Sequence, residues 1–175
     1  MAKSSTFFIR TTKDLGNTNA YHEKEIDLGS YVNALAKTIL VIRSVEVTFS
    51  DNTGRSSQIH PTGHATKGHA VAQFQLLTQS KTDIVLPSDK SIISTGRVSI
   101  LNPSSTIQVG GEVSHDLDTA PQMYAEGYLV GTDSIFIGGA ASTGFVGDVY
   151  CSVILECEVA TMSSEKAMAL ALSQQ

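Results

Sequence analysis

Residues 149–159 read Val-Tyr-Cys-Ser-Val-Ile-Leu-Glu-Cys-Glu-Val, and Val149, Cys151, Val153, Leu155, Cys157 and Val159 share one face of a period-two pattern. A helical period would scatter these six residues around the axis, so the stretch is a β-strand with one buried face. Its two cysteines lie six residues apart, roughly 20 Å along a strand, beyond the reach of a disulfide. They read as buried free thiols, which suits synthesis in a reducing cytosol. A second long extended run covers residues 37–50, with Val41, Val45, Val47 and Phe49 on one face and Arg43 an intruder among them.

Turn signals divide the remaining chain every ten or so residues. Short strands are expected at residues 5–10, 23–29, 70–78, 82–86, 91–101 (with Gly96 as a bulge), 106–113, 124–130 and 134–137. An acidic loop is expected at 115–121 and a Gly-rich loop at 138–144, leading into a long strand at 148–160. The one good helix candidate is 163–173, where Ser163 or Ser164 can cap, Glu165 suits the first turn, and the rest is nearly uncharged and apolar. Met168, Leu170 and Leu172 also fit a strand. The expected fold is all-β: one antiparallel β-sandwich or jelly roll over residues 1–162, followed by an apolar arm or short helix at 163–175.

Composition narrows the function. The 175 residues carry 12 basic and 17 acidic side chains, net charge −5, with 6% aromatics and no Trp. That balance is unlike a disordered tail or a basic nucleic-acid binder, and the thin cluster Lys3, Arg10 and Lys13 does not change it. Few aromatics leave little for a sugar-stacking platform. Through Arg97 the chain has 11 basic and 8 acidic residues, net +3, and the remainder has Lys166 against nine acids, net −8. This asymmetry raises the expectation of complementary patches between neighbouring subunits. The N-terminus lacks a signal-peptide core, and the longest aliphatic run, residues 39–42, is far too short to span a bilayer, so a soluble chain is expected.

The candidate chemistry is sparse. His60, His64 and His69 form the best metal constellation, since zinc accepts three imidazoles plus water. They lie in a Gly-rich loop without helical ligand spacing, so a solvated loop is the competing reading. The acids around His115 lack the alternating oxygen donors of a calcium loop. Ser142 sits in a degenerate nucleophile elbow, Ala-Ala-Ser-Thr-Gly, but no His follows it in the chain. Residues 63–68 have phosphate-loop-like glycine spacing with no following helix. No catalytic residue, cofactor or enzymatic activity is expected; the rival readings are a β-sandwich module binding a glycan or protein, and a metal-dependent barrel enzyme using His60, His64 and His69.

Residues 25–49, residues 74–86 with 91–96, and residues 148–160, as first and last long strands, give the chain a whole-length resemblance. It resembles single jelly-roll coat proteins of icosahedral bacterial and archaeal viruses with an internal membrane. The resemblance implies a self-assembling virion subunit and a high-order homo-oligomer. Copies of itself, other coat proteins and an internal membrane surface would be its partners. The mildly basic N-terminus departs from coats that contact the genome directly, so strong nucleic-acid binding is not implied. The apolar C-terminal segment would serve as an exchange or anchoring arm.

Overall fold

The computed structural model describes residues 6–33, 36–59, 69–101 and 112–174. Nine strands are present among the described residues: β1 (Phe7–Asp14), β2 (His22–Asp27), β3 (Thr38–Ser50), β4 (His69–Leu77), β5 (Ile92–Leu101), β6 (Glu112–Thr119), β7 (Tyr128–Val130), β8 (Ser134–Ala141) and β9 (Tyr150–Thr161). One helix, α1 (Ser164–Ser173), follows them, and a 3-10 turn, Pro121–Met123, precedes β7. The first sheet runs β1-β9-β3-β7 and the second β2-β8-β4-β5-β6. With β6 set aside, the other eight strands pair first with last: β1 with β9, β2 with β8, β3 with β7, and β4 with β5. A ribbon paired in this way and wrapped into two antiparallel sheets is a jelly roll.

The core lies between the sheets. Alternation along β9 buries Cys151, Val153, Leu155 and Cys157 against Val45, Val47, Ala72, Phe74, Ile135 and Ile137. Phe74 meets Phe49 edge-on at 6.5 Å. The strand expected at 37–50 is β3, but its parity breaks: the register with β9 shifts between Ile42 and Ser44. Arg43 is the extra residue of a β-bulge, which turns the rest of the strand over. Val45 and Val47 therefore join the core while Val41 lies on the opposite face, in a small separate cluster with Ile39 and Ala167. The bulge also aims the Arg43 guanidinium at Glu158 and at the carbonyl of Glu126.

Several expected boundaries shift for identifiable reasons. Residues 82–86 are not a strand. Gln75 is fully buried and satisfies this segment itself, donating from Nε2 to the Val85 carbonyl and accepting from the Val85 N–H on Oε1. The acidic residues 115–119 are not a loop but most of β6, an edge strand on which Asp116 and Asp118 stand exposed and Asp118 pairs with Arg97 at 3.0 Å. Glycines 138 and 139 are inside β8 rather than in a loop. The strand expected from 124 begins only at Tyr128, because Gly127 turns the chain at φ +70° with Ile42 O so close that a Cβ would stand 2.4 Å from it. At Gly96 the register with β6 shifts, as the glycine suggested. The turn at 102–105 and most of the strand at 106–113 lie outside the described residues.

The C-terminal segment is helical. Ser163 caps α1, its hydroxyl accepting from Lys166 N–H, and Glu165 stands in the first turn. Met168 and Leu172 point outward, while Ala167 is buried and Leu170 is partly covered, so the face presented to the sheet is helical in period.

Candidate interaction surface

Each sheet has an outer face, and each is partly covered. On the second sheet, residues 79–90 fold over Gln75, held by Glu23, which accepts from Ser80 Oγ at 2.5 Å, Lys81 N–H at 2.8 Å and the Tyr21 hydroxyl at 3.0 Å. Burial, with the Glu23 charge beside it, pushes the Tyr21 hydroxyl well above its ordinary value. On the first sheet, α1 lies over Ile39, Val41, Leu129 and Ala160. Its anchor is Gln174: the side chain accepts from Gly131 N–H at 2.8 Å and donates to the Leu129 carbonyl at 2.6 Å. The Gln174 carbonyl in turn accepts from Thr78 Oγ1 and Gln79 Nε2, each at 3.1 Å.

The edges are treated differently. Gln174 occupies the backbone of the β7 edge, and beyond the short β7 the Gln122 amide both accepts from and donates to Val45 at 3.0 Å. A side-chain amide offers one donor and one acceptor, so each glutamine stands in for one residue of a neighbouring strand and blocks strand addition there. Gln122 and Gln174, and Gln75, whose amide pairs with the Val85 backbone in the same way, were missed from sequence because an isolated Gln carries no pattern. The other three edges, β1, β2 and β6, end their sheets.

The charge asymmetry does not become two opposed faces. The first sheet alternates early and late strands, and Arg43–Glu158 and Arg97–Asp118 join a cation of the first part of the chain to an acid of the second within one subunit. Much of the +3 and −8 is thereby interleaved.

Of the candidate metal set, His60 and His64, with residues 63–68, lie outside the described residues. His69 opens β4, exposed, with Nε2 3.1 Å from Ser99 Oγ. Among the described residues no group of three His, Cys, Asp or Glu side chains could hold a metal ion. Ser142 extends the β4–β8 ladder, its N–H donating to Val71 O and its Oγ accepting from Val71 N–H, so the elbow reading has no strand-to-helix turn to stand on. Of the basic cluster, Arg10 lies over the Phe8 ring at 5.3 Å, and Lys3 is outside the described residues. No helix among the described residues is long and apolar enough to cross a membrane.

Cys151 and Cys157 are free and buried. Desolvation raises each thiol from 9.0 to about 12, with the Glu156 charge adding to the effect at Cys157. A raised folded value means that below pH 9 the thiols cost nothing, while above it the unfolded chain releases protons that the folded chain retains. Stability is expected to fall as pH rises from 9 to about 12, and both thiols should resist an aromatic disulfide reagent at pH 8 until urea unfolds the chain. Rapid labelling of either thiol in the folded protein would contradict the burial.

A comparison with protein-family models finds no match, nor does one with curated proteins. Solved structures with a similar course include VP1 of Merkel cell polyomavirus as an unassembled pentamer, at 10% identity and TM-score 0.41 over 92% of this chain and 98% of that one. Apo chimpanzee polyomavirus VP1 aligns at 9% identity and TM-score 0.48, covering 93% and 98%. VP1 of trichodysplasia spinulosa-associated polyomavirus gives 9% and 0.41, covering 91% and 97%. With TM-scores below 0.5, the assignment to the jelly-roll class rests on the strand pairing described above.

Proposed function

We propose that this chain is a structural, non-enzymatic coat subunit that builds a viral shell from many copies of itself. The observation that carries the reading is a jelly roll with a terminal helix docked outside the barrel. That helix turns Met168 (60% exposed) and Leu172 (66% exposed) outward. Apolar side chains displayed on a docked element suit burial against a neighbour. Jelly rolls also serve as lectin domains, so the fold contributes by analogy and the display of apolar side chains contributes the direction. Met123, Tyr124 and Leu86 are further exposed apolar residues on turns and loops. Net charge −5 fits a shell lying over a membrane or other proteins, like the bacterial and archaeal virus coats it resembles, better than one wrapped on nucleic acid.

Light scattering and negative-stain microscopy of the purified full-length chain test this, across protein concentration and salt. Uniform closed particles are the expected result. A strictly monomeric protein under every salt condition overturns the proposal, and glycan binding by that monomer would favour the lectin-like reading.

A further inference from the structure

The sandwich has two flanks, and their edges differ in a way that specifies how copies join. On one flank β1 and β2 lie side by side, Lys24 Nζ of β2 reaching the Thr12 carbonyl at 3.3 Å. The other flank has β7 and β6 as sheet ends, and the β7 end is the one that Gln122 and Gln174 occupy.

Backbone alternation shows what β1 offers. Leu15 N–H donates to Val149 O on the β9 side, whereas the Thr12 carbonyl faces away from β9 toward Lys24. Residues of even number, Phe8, Arg10 and Thr12, therefore turn their N–H and C=O groups to the outer edge. The same count applies across the second sheet. Val71 exchanges hydrogen bonds with Ser142 beyond β8, so Phe74 faces β5, where Thr95 Oγ1 donates to its carbonyl. Arg97, Ser99 and Leu101 then ladder with Asp116, Ser114 and Glu112, leaving the backbone of Val113 and His115 directed to the outer edge of β6.

We propose that β1 of one copy adds as a strand to β6 of a second copy, joining the first sheet of one subunit to the second sheet of the next. Charge selects this pairing. β1 carries Arg10 and Lys13 against the single acid Asp14, and β6 is acidic, with Asp116 and with Asp118, which it shares with Arg97 of its own subunit. β1 has a net positive charge, so pairing it with a second β1 about a twofold axis gains less than pairing it with the acidic β6. β2 is the other acidic edge, but it lies on the β1 flank, and its Glu23 already accepts three hydrogen bonds within the subunit. A β1-to-β6 contact is heterologous, so it propagates from subunit to subunit and closes into a ring where the rotation allows. The inference rests on the coat reading and supplies one of its contacts.

Proline tests it, because an edge strand tolerates proline where the lost N–H faced outward. In Arg10→Pro the β1 edge is blocked and β6 is intact; in His115→Pro the reverse holds. Circular dichroism and a cooperative melt check folding of each. Sedimentation velocity is expected to show each variant alone without the assemblies of the wild type and an equimolar mixture regaining a larger species than either alone, because one productive junction remains. Arg10→Glu, which keeps the backbone donor, should weaken association about tenfold by opposing the β6 acids, and serves if a proline variant does not fold. Assembly unchanged in both proline variants, or a mixture that forms no larger species than either variant alone, overturns the edge pairing. Loss of assembly in Arg10→Pro but not His115→Pro overturns it in favour of a twofold contact on the β1–β2 flank. A wild-type chain that never assembles defeats the coat reading instead, a distinguishable result.

Discussion

Gly139→Ala is expected to destabilise the subunit by about 3 kcal/mol, the upper range for overpacking a tight interior. A Cβ at Gly139 would stand 2.3 Å from the Gln73 carbonyl and 3.0 Å from Leu15 Cδ2. Neither neighbour can retreat. Gln73 belongs to β4, held between β8 and β5, and Leu15 is fully buried between the two sheets. Gly147→Ala is the control, since its Cβ would meet nothing within 4 Å, and a change within about 0.5 kcal/mol is expected there. Urea denaturation measures both. A cost below about 1 kcal/mol at Gly139 would mean that β4 and β8 separate more readily than their close approach indicates.

That glycine also marks where sequence reading failed. Residues 138–144 look like a loop because three glycines and small polar residues are the usual composition of turns. The structure uses Gly138 and Gly139 for space: Tyr21 lies over Gly138, so that a Cβ there would be 2.0 Å from its hydroxyl. Composition reports conformational freedom and close approach by the same residue, and only the neighbours tell them apart. Residues 115–119 misled in the same way, since acids on an exposed edge strand resemble acids in a loop. Residues 82–86 misled in reverse, the backbone of Val85 being satisfied by the Gln75 side chain in place of a strand.

Where a strand sits centrally and packs one face on the core, the pattern was sufficient. β9 lies between β1 and β3, and its alternation reads directly as burial. β3 was legible in extent but not in facing, because Val41 and Val45 are in phase in the sequence while the Arg43 bulge separates them in space. The interaction edges were illegible in principle: which strands end a sheet follows from long-range pairing, and which ends are plugged depends on single glutamines distant in sequence from what they plug.

Deleting residues 163–175 is expected to leave a folded subunit that forms no full-size particle. The cluster beneath α1, built on Ile39, Val41 and Ala167, is separate from the core between the sheets. Its loss exposes Ile39 and Val41, now 1% and 4% accessible, at a cost of about 3–6 kcal/mol by the burial of two such side chains. The core residues Phe74, Leu155 and Ile137 keep their neighbours, so a cooperative melt at lower temperature should remain. Two surfaces change together. The outward Met168 and Leu172 vanish, and with Gln174 gone the Leu129 carbonyl and Gly131 N–H reopen the β7 edge to strand addition. The truncated chain should therefore associate irregularly at that edge where the intact chain assembles regularly, a difference that negative stain shows as amorphous material without particles. Gln174→Ala separates the contributions by reopening the edge while retaining the helix, and hydrogen exchange at the Gly131 N–H, which donates to Gln174 Oε1, should quicken in it. Full-size particles from the truncated chain would mean that α1 contributes to the stability of the subunit and not to its assembly.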